Sequence, residues 1–240
     1  MPSGMTYYES VHKPWGRMFY DVAYLQLDIP ETPRLRILDF GSGYGLCANH
    51  YAQWHDVTAI EPDGEMISQR FDTNMYTQIH GDVADLRQFA NEFDLVICHN
   101  VLEYVQDKEE IICALAGAVK PGGKLSIVKH NINGRVMARA VFDDDPAMAM
   151  ALLTDLASDQ STTFGDRFLY ENQDLLAWTD KLGLKTDGHY GIRAFFSLTQ
   201  NNEIKHCPQW YEKMLALEKR VGDVDAFRQV AFLNHFIFRK

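Results

Sequence analysis

Arg34-Leu35-Arg36-Ile37-Leu38-Asp39-Phe40-Gly41-Ser42-Gly43-Tyr44-Gly45 begins as an apolar strand and ends in glycines at alternate positions. The apolar run from Leu35 to Phe40 reads as a buried parallel strand. Gly41, Gly43 and Gly45 then permit the positive φ of a tight strand-to-helix turn and let the backbone come close to a ligand. Such a turn suits a nucleotide-like cofactor over the carboxyl end of an open α/β sheet. The dinucleotide fingerprint G-x-G-x-x-G requires glycine at position 46, where this chain has Leu46, so a nicotinamide oxidoreductase is disfavoured.

The flanking sequence repeats the pattern of strand followed by polar tip. A second strand, Asp56–Ile60, is followed at once by Glu61-Pro62. An acid about 20 positions past the glycine turn, at the tip of the next strand, can accept both ribose hydroxyls of an adenosine. A carboxylate is acceptor-only and takes two O–H donors at once. Pro62 biases Glu61 towards an extended backbone. After a short strand at Tyr76–Ile79 comes His80-Gly81-Asp82-Val83, in which Asp82 reads as the N-cap of a helix over Val83–Phe89. Leu95–Cys98 is the apolar part of a fourth strand, with the polar end His99-Asn100. A helix capped by Asp107, with Glu110 three residues on, carries the stripe Ile111, Ile112, Leu115, Val119. It stops at Lys120-Pro-Gly-Gly123, and strand five is expected over Lys124–His130.

The G-x-G-x-G turn after Leu38-Asp39, with these strand-end motifs in this order and spacing, resembles the class I S-adenosylmethionine (SAM) methyltransferases. The resemblance implies an α/β fold, a Rossmann-like seven-stranded sheet with helices on both faces. It assigns Asp39, Gly41, Ser42, Gly43, Glu61 and Pro62 to SAM, with S-adenosylhomocysteine as product. Asp82 would accept from the adenine amino group while the Val83 N–H meets a ring nitrogen. Capping and ligand contact use different lone pairs of Asp82, so both roles stand.

Composition allows one full α/β core: 240 residues, 46% hydrophobic and 23% charged. No linker, low-complexity tract or repeat divides the chain, so one domain is expected over 1–240. Its parts would be a lid at 1–30, a SAM-binding core at 34–130, a substrate cover at 131–170 and a C-terminal part at 171–240. The N-terminal residues lack the basic and apolar regions of a signal peptide, and no run of about 18 apolar residues suits a membrane. Cys47, Cys98, Cys113 and Cys207 form no C-x-x-C pair, and three of them fall in predicted core elements. Free thiols in the cytoplasm, with no metal site, are the expectation. Thirty-three acids against 23 bases give a net charge of −10, which opposes non-specific binding to polyanions.

Outside the core, Tyr7–Tyr20 is an aromatic, helix-like segment. The insertion at 131–170 carries a Met- and Ala-rich helical run, Pro146–Leu156, and such an insertion at an active-site rim is usually a cover. A helix at Asn172–Leu182 and a strand at Leu184–Gly191 follow. A helix at Pro208–Val221 bears Trp210, Met214, Leu217 and Val221 at helical spacing, a stripe expected to be core. Ala231–Arg239 would be an antiparallel strand completing the sheet.

Three segments resemble the bacterial tRNA 5-carboxymethoxyuridine methyltransferases. They are His99–Val105 with Lys120–Ser126, Tyr190-Gly-Ile-Arg-Ala-Phe195, and Trp210–Glu218. That resemblance implies methylation of a carboxylate at the tRNA wobble position. It puts Arg17 on the cofactor's carboxylate and His99 at the end of strand four. The chain departs from the family at Leu152–Ser161, net acidic where relatives carry a basic run. A small acidic metabolite is therefore the alternative acceptor.

Acceptor chemistry decides which groups the site needs. A carboxylate is already ionised at pH 7 and asks only for orientation and a cation, whereas a hydroxyl wants a general base. His99 has three readings: a SAM contact, a base, or a strand-end histidine bonded to backbone. His130, followed by Asn131, is the alternative base or orienter on the acceptor side. Arg193, then Arg135 and Arg139, are the cations for an anionic acceptor. His99-Asn100-Val101-Leu102 is not the Asn/Asp-Pro-Pro-aromatic turn of amino methylation. Cys98, between Ile97 and His99, reads as a small core residue and not as the nucleophile of carbon-5 methylation.

Overall fold

The computed structural model describes residues 7–155 and 167–240. Its helices are α1 (Tyr7–Val11), α2 (Pro14–Leu27), α3 (Leu46–Tyr51), α4 (Gly64–Ser68), α5 (Lys108–Ala118), α6 (Ile132–Met137), α7 (Pro146–Thr154), α8 (Asn172–Lys181), α9 (Pro208–Val221) and α10 (Asp225–Arg228). Its strands are β1 (Arg36–Phe40), β2 (Asp56–Glu61), β3 (Thr77–His80), β4 (Phe93–His99), β5 (Val119–His130), β6 (Lys185–Ile192) and β7 (Leu233–Arg239). They form one seven-stranded sheet in the order β3-β2-β1-β4-β5-β7-β6. The sheet is mixed. β1 to β5 pair in parallel, while β7 runs against β5: Gly122 N–H donates to Lys240 O, and Asn131 N–H to Phe232 O.

Two compact units interleave along the sequence. One comprises Ile29–Val128, Gln173–Gly188 and Phe236–Lys240, and the other Met1–Asp28, Lys129–Asn172 and His189–His235.

In the first unit the strands are apolar because both faces are covered. Ile37, Leu38, Ala59, Ile60, Val96, Ile97, Leu125 and Ile127 are all fully buried, each large aliphatic one contributing about 1.5–3 kcal/mol. Asp107 Oδ1 accepts from Glu110 N–H at 3.0 Å to start α5. That helix ends at Ala118, and Val119 already pairs with Phe93 on β4. The Lys120-Pro-Gly-Gly123 stretch is therefore an irregular start of β5, with Gly122 at φ +81°, and not a loop before it. The ladder shifts register there and resumes with Leu95 opposite Lys124. Cys47 and Cys98 are buried, but Cys113 and Cys207 are exposed, so two of the four cysteines are core and not three.

In the second unit α2 lies on α9. Tyr211 Oη donates to Asp21 Oδ2 at 2.8 Å, and Gln26 Nε2 donates to Gly191 O at 2.8 Å. α9 has the expected bounds but a different inward face. Tyr211, Glu218 and Val221 are buried, whereas Leu217 is 41% exposed. An acid replaces the expected leucine in the core because three backbone N–H groups meet it, as described below. α7 ends at Thr154; Leu156 and the rest of the acidic stretch beyond Asp155 lie outside the described residues. Among the described residues no helix is long and apolar enough to cross a membrane.

Candidate active site

The register aligns the carboxyl ends of the parallel strands. Phe40 faces Ile60, Glu61 faces His80, and His99 faces Val128. The chain reverses direction across the sheet between β1 and β4, and open α/β sheets bind ligands outside such a switch point. All three motif glycines are left-handed, with φ of 69°, 55° and 71° at Gly41, Gly43 and Gly45. A Cβ on Gly41 would strike the Val101 side chain, and one on Gly45 would strike the Tyr76 hydroxyl.

Glu61 binds this turn together. Its Oε2 accepts from Gly43 N–H at 2.7 Å and its Oε1 from Asp63 N–H at 3.0 Å. It is only 6% exposed, and burial raises its carboxyl pKa against the pull of those two N–H groups. Each oxygen retains a lone pair for a further donor. Pro62 O contacts His80 Nε2 at 2.9 Å. Asp39, buried at the end of β1, accepts from Ala48 N–H at 3.0 Å. Burial, and after it the charge of Glu61, moves Asp39 up to about 7.

Asp82 Oδ1 accepts from Ala84 N–H at 2.8 Å, and Asp85 Oδ2 accepts from Asp82 N–H at 3.0 Å. This capping box starts a 3-10 turn over Val83–Gln88, where an α-helix was expected. Asp82 stays exposed. His99 Nε2 pairs with Ser126 Oγ on β5 at 2.7 Å. Burial lowers its pKa to about 3, so the ring is neutral.

Two polar atoms at this edge are buried without a hydrogen-bond partner among the described residues: Ser42 Oγ and Asn100 Oδ1. Asn100 also sits at φ +57°. Leaving such a group unmet costs about 1–3 kcal/mol, so a polar ligand at the edge fits this donor and acceptor set. Asn100 was passed over in the sequence except as the tip of β4.

The second unit gathers cations. His130 Nε2 lies 3.4 Å from Arg167 Nη1. Burial first, then the charges of Arg135, Arg167, Lys129 and Arg193, hold the His130 pKa well below its usual value. Lys129, Arg135 and Arg167 are themselves buried. Arg193 Cζ sits 4.8 Å and Arg135 Cζ 5.5 Å from the centre of the Phe232 ring. Burial brings Arg193 down to about 10. The expected Arg135 and Arg193 are thus placed around His130, whereas Arg139 ion-pairs with Asp143 at 2.8 Å. Lys129 and Arg167 were missed. A lysine inside the apolar run of β5 was the available signal for the first, and the sequence held none for the second.

Arg17 is on α2 in the same unit. Its Nε is 3.2 Å from Asp21 Oδ2, its guanidinium lies 4.6 Å over the Tyr211 ring, and its side chain is 68% exposed. Cys98 is fully buried, and burial pushes its thiol pKa well up, which suits a packed core residue.

Comparison with known proteins agrees with this architecture. Residues 38–127 match a methyltransferase domain family. The chain is 25% identical over 221 residues to the tRNA 5-carboxymethoxyuridine methyltransferase of Escherichia coli K12, covering 86% of this chain and 80% of that one. It is 26% identical over 164 residues to the ubiquinone biosynthesis O-methyltransferase of Klebsiella pneumoniae, covering 65% and 64%. A solved SAM-dependent methyltransferase from Mesorhizobium loti superposes with a TM-score of 0.60 at 18% identity, over 91% of this chain and 98% of that one. With the glycine turn, the strand order and the matched domain in agreement, the chain is a class I S-adenosylmethionine-dependent methyltransferase that resembles the tRNA 5-carboxymethoxyuridine methyltransferases.

Proposed function

We propose that this enzyme methylates a carboxylate, and that its acceptor is 5-carboxymethoxyuridine at the wobble position of a tRNA. The cations around His130 carry the reading. A chain with net charge −10 concentrates Lys129, Arg135, Arg167 and Arg193 about one histidine, whose pKa burial first and then their charges hold well below its usual value. Buried cations favour an anionic occupant. Arg193 and Arg135 offer planar forks that match a carboxylate.

When bound, SAM supplies a methyl group on a positively charged sulfur, which an acceptor lone pair displaces in line. On this reading Gly41, Gly43 and Ser42 bound the cofactor, Glu61 takes the ribose hydroxyls, Asp82 and Val83 the adenine, and Asn100 and His99 a polar part of it. Pro62 and Asp39 shape the turn, and Arg17, already clamped by Asp21 and Tyr211, takes a carboxylate. A carboxylate acceptor would bring an oxygen that is already ionised, so these residues would have to hold and orient it and would have no proton to remove. No base is needed, which suits a His130 held low; its role is to accept from Arg167 and orient it. A phenol acceptor would need its proton removed, a task to which such a histidine is ill matched. The similarity to the Escherichia coli enzyme over most of both chains supports the tRNA form of the acceptor.

Purified enzyme, SAM and tRNA carrying 5-carboxymethoxyuridine test this, with nucleosides read by mass spectrometry. The methyl ester is expected. Arg193→Lys should lower kcat/KM for the tRNA by roughly tenfold or more, because it keeps a charge but loses the fork. If the tRNA is untouched while a small carboxylic acid is methylated, the acceptor is the metabolite and the tRNA reading falls.

A further inference from the structure

We infer that Glu218 is a positioning residue that aims Arg193 at the acceptor's carboxylate. This rests on the reading of Arg193 given above. Glu218 lies on α9 with no measurable exposure. Its Oε2 accepts from Ala194 N–H at 2.8 Å, and its Oε1 from Phe195 N–H at 2.9 Å and Phe196 N–H at 2.8 Å. One carboxylate thus binds three successive backbone donors. A buried acid spent in this way fixes the path of the chain between the end of β6 and the 3-10 turn at Phe196–Leu198.

The path in question begins at Arg193, immediately after β6. Arg193 has φ +64°, in the left-handed region that non-glycine residues enter at a cost. Surroundings that over-determine the backbone are needed to keep it there, and the Glu218 clamp on the next three residues provides them. The turn delivers the side chain to a defined place. Arg193 Nε donates to Ser197 Oγ at 3.0 Å, one residue past the clamped segment. Its guanidinium rests on Phe232 at 4.8 Å and Phe196 at 5.8 Å from the ring centres. The charge of Glu218 also favours the ionised form of Arg193 against its burial. Backbone and charge therefore both trace to one carboxylate, whose two oxygens accept from the three residues that follow Arg193.

Glu218→Gln is the informative change. The amide oxygen still accepts, but its NH2 group must face one of the three N–H donors, so the clamp loses one arm. A shift of about an ångström in a positioned group costs up to roughly 100-fold. The acceptor KM is expected to rise about tenfold or more, with S-adenosylhomocysteine affinity within twofold of wild type. In an Arg193→Lys background the same change should add little, since there is no fork left to aim. Glu218→Asp, which keeps the charge but not the reach, should give the same pattern and replaces Glu218→Gln in the cycle if that variant does not fold. A loss of equal size in both backgrounds, or an unchanged acceptor KM, overturns the proposal. A crystal structure of the variant decides the matter apart from any acceptor. Arg193 is expected to leave its left-handed backbone or the Phe232 ring, and an unmoved Arg193 overturns positioning. A wild-type enzyme inert on the tRNA would instead defeat the functional reading and leave this structural test standing.

Discussion

Replacing Glu61 by glutamine separates the structural job its carboxylate performs from the cofactor contact proposed for it. Both oxygens already hold backbone donors, Gly43 N–H at 2.7 Å and Asp63 N–H at 3.0 Å, and the residue is 6% exposed. Glutamine keeps one acceptor and turns an NH2 towards the other N–H. That leaves a buried donor unmet, a loss of about 1–3 kcal/mol. Burial already disfavours the Glu61 charge, so removing it returns part of this. We expect a net loss near 1 kcal/mol, or about 2–4 °C in Tm for a chain of this size. The cofactor effect is larger. Hydrogen bonds to a charged acceptor contribute about 1.5–3 kcal/mol against about 0.5–1.5 for neutral ones. Two ribose hydroxyls therefore lose about 1–3 kcal/mol between them. At 1.4 kcal/mol per tenfold, the Kd should rise roughly 5- to 150-fold. Calorimetry with S-adenosylhomocysteine, beside thermal unfolding without ligand, measures both. A lowered Tm with an unchanged Kd would refute the ribose contact and leave Glu61 as a strut of the glycine turn.

Gly45→Ala should lower Tm by several degrees, since a left-handed alanine costs about 1–2 kcal/mol and its Cβ would displace the Tyr76 hydroxyl from Phe71 O, to which it donates at 2.7 Å; an unaltered melting curve would contradict the strain argument. Asp39→Asn tests the raised carboxyl at the end of β1. Its folded pKa is about 7 against 3.8, so the stability this proton provides is full below pH 3.8 and is lost as pH rises to about 7, a change of roughly 4 kcal/mol in order of magnitude. Wild type minus variant, followed by urea denaturation across that window, should show the slope, and parallel curves would mean that Asp39 titrates normally.

What the sequence revealed followed from how local each signal is. β1, β2 and β4 are apolar runs with polar tips, and the candidate cofactor edge begins with one such run and its glycine turn. The strand-end motifs could be read because parallel strands deliver their carboxyl ends to the same edge, whatever the loops do. The acceptor side offered no such rule. Lys129 and Arg135 flank His130 in the chain, but Arg167 and Arg193 are distant in sequence, and only tertiary structure brings them round it. Arg135 and Arg139 look like partners on one helical face. α6 ends at Met137, however, and the chain widens into a π-turn over Ala138–Phe142. That breaks the spacing and leaves Arg139 to Asp143. Glu218 was hidden for a related reason: an acid on an amphipathic helix reads as solvated unless the backbone donors it serves, at residues 194 to 196, are already in view.

The charge pattern bears on which kinetic constant the arginines control. A carboxylate acceptor enters with a full negative charge and leaves as a neutral ester, and its charge is already partly dispersed in the transition state. On the function proposed here, Arg193, Arg135 and Arg167 would therefore attract the substrate more strongly than the transition state. Interactions stronger in the ground state cannot accelerate the chemical step. Their benefit lies in capture and in fixing the angle of attack, and it falls away once the ester forms, which favours release. For this reason the effects of Arg193→Lys and Glu218→Gln belong in the acceptor KM. A kcat that collapsed while KM held would mean that the arginines meet developing charge instead, and the acceptor would not be a carboxylate.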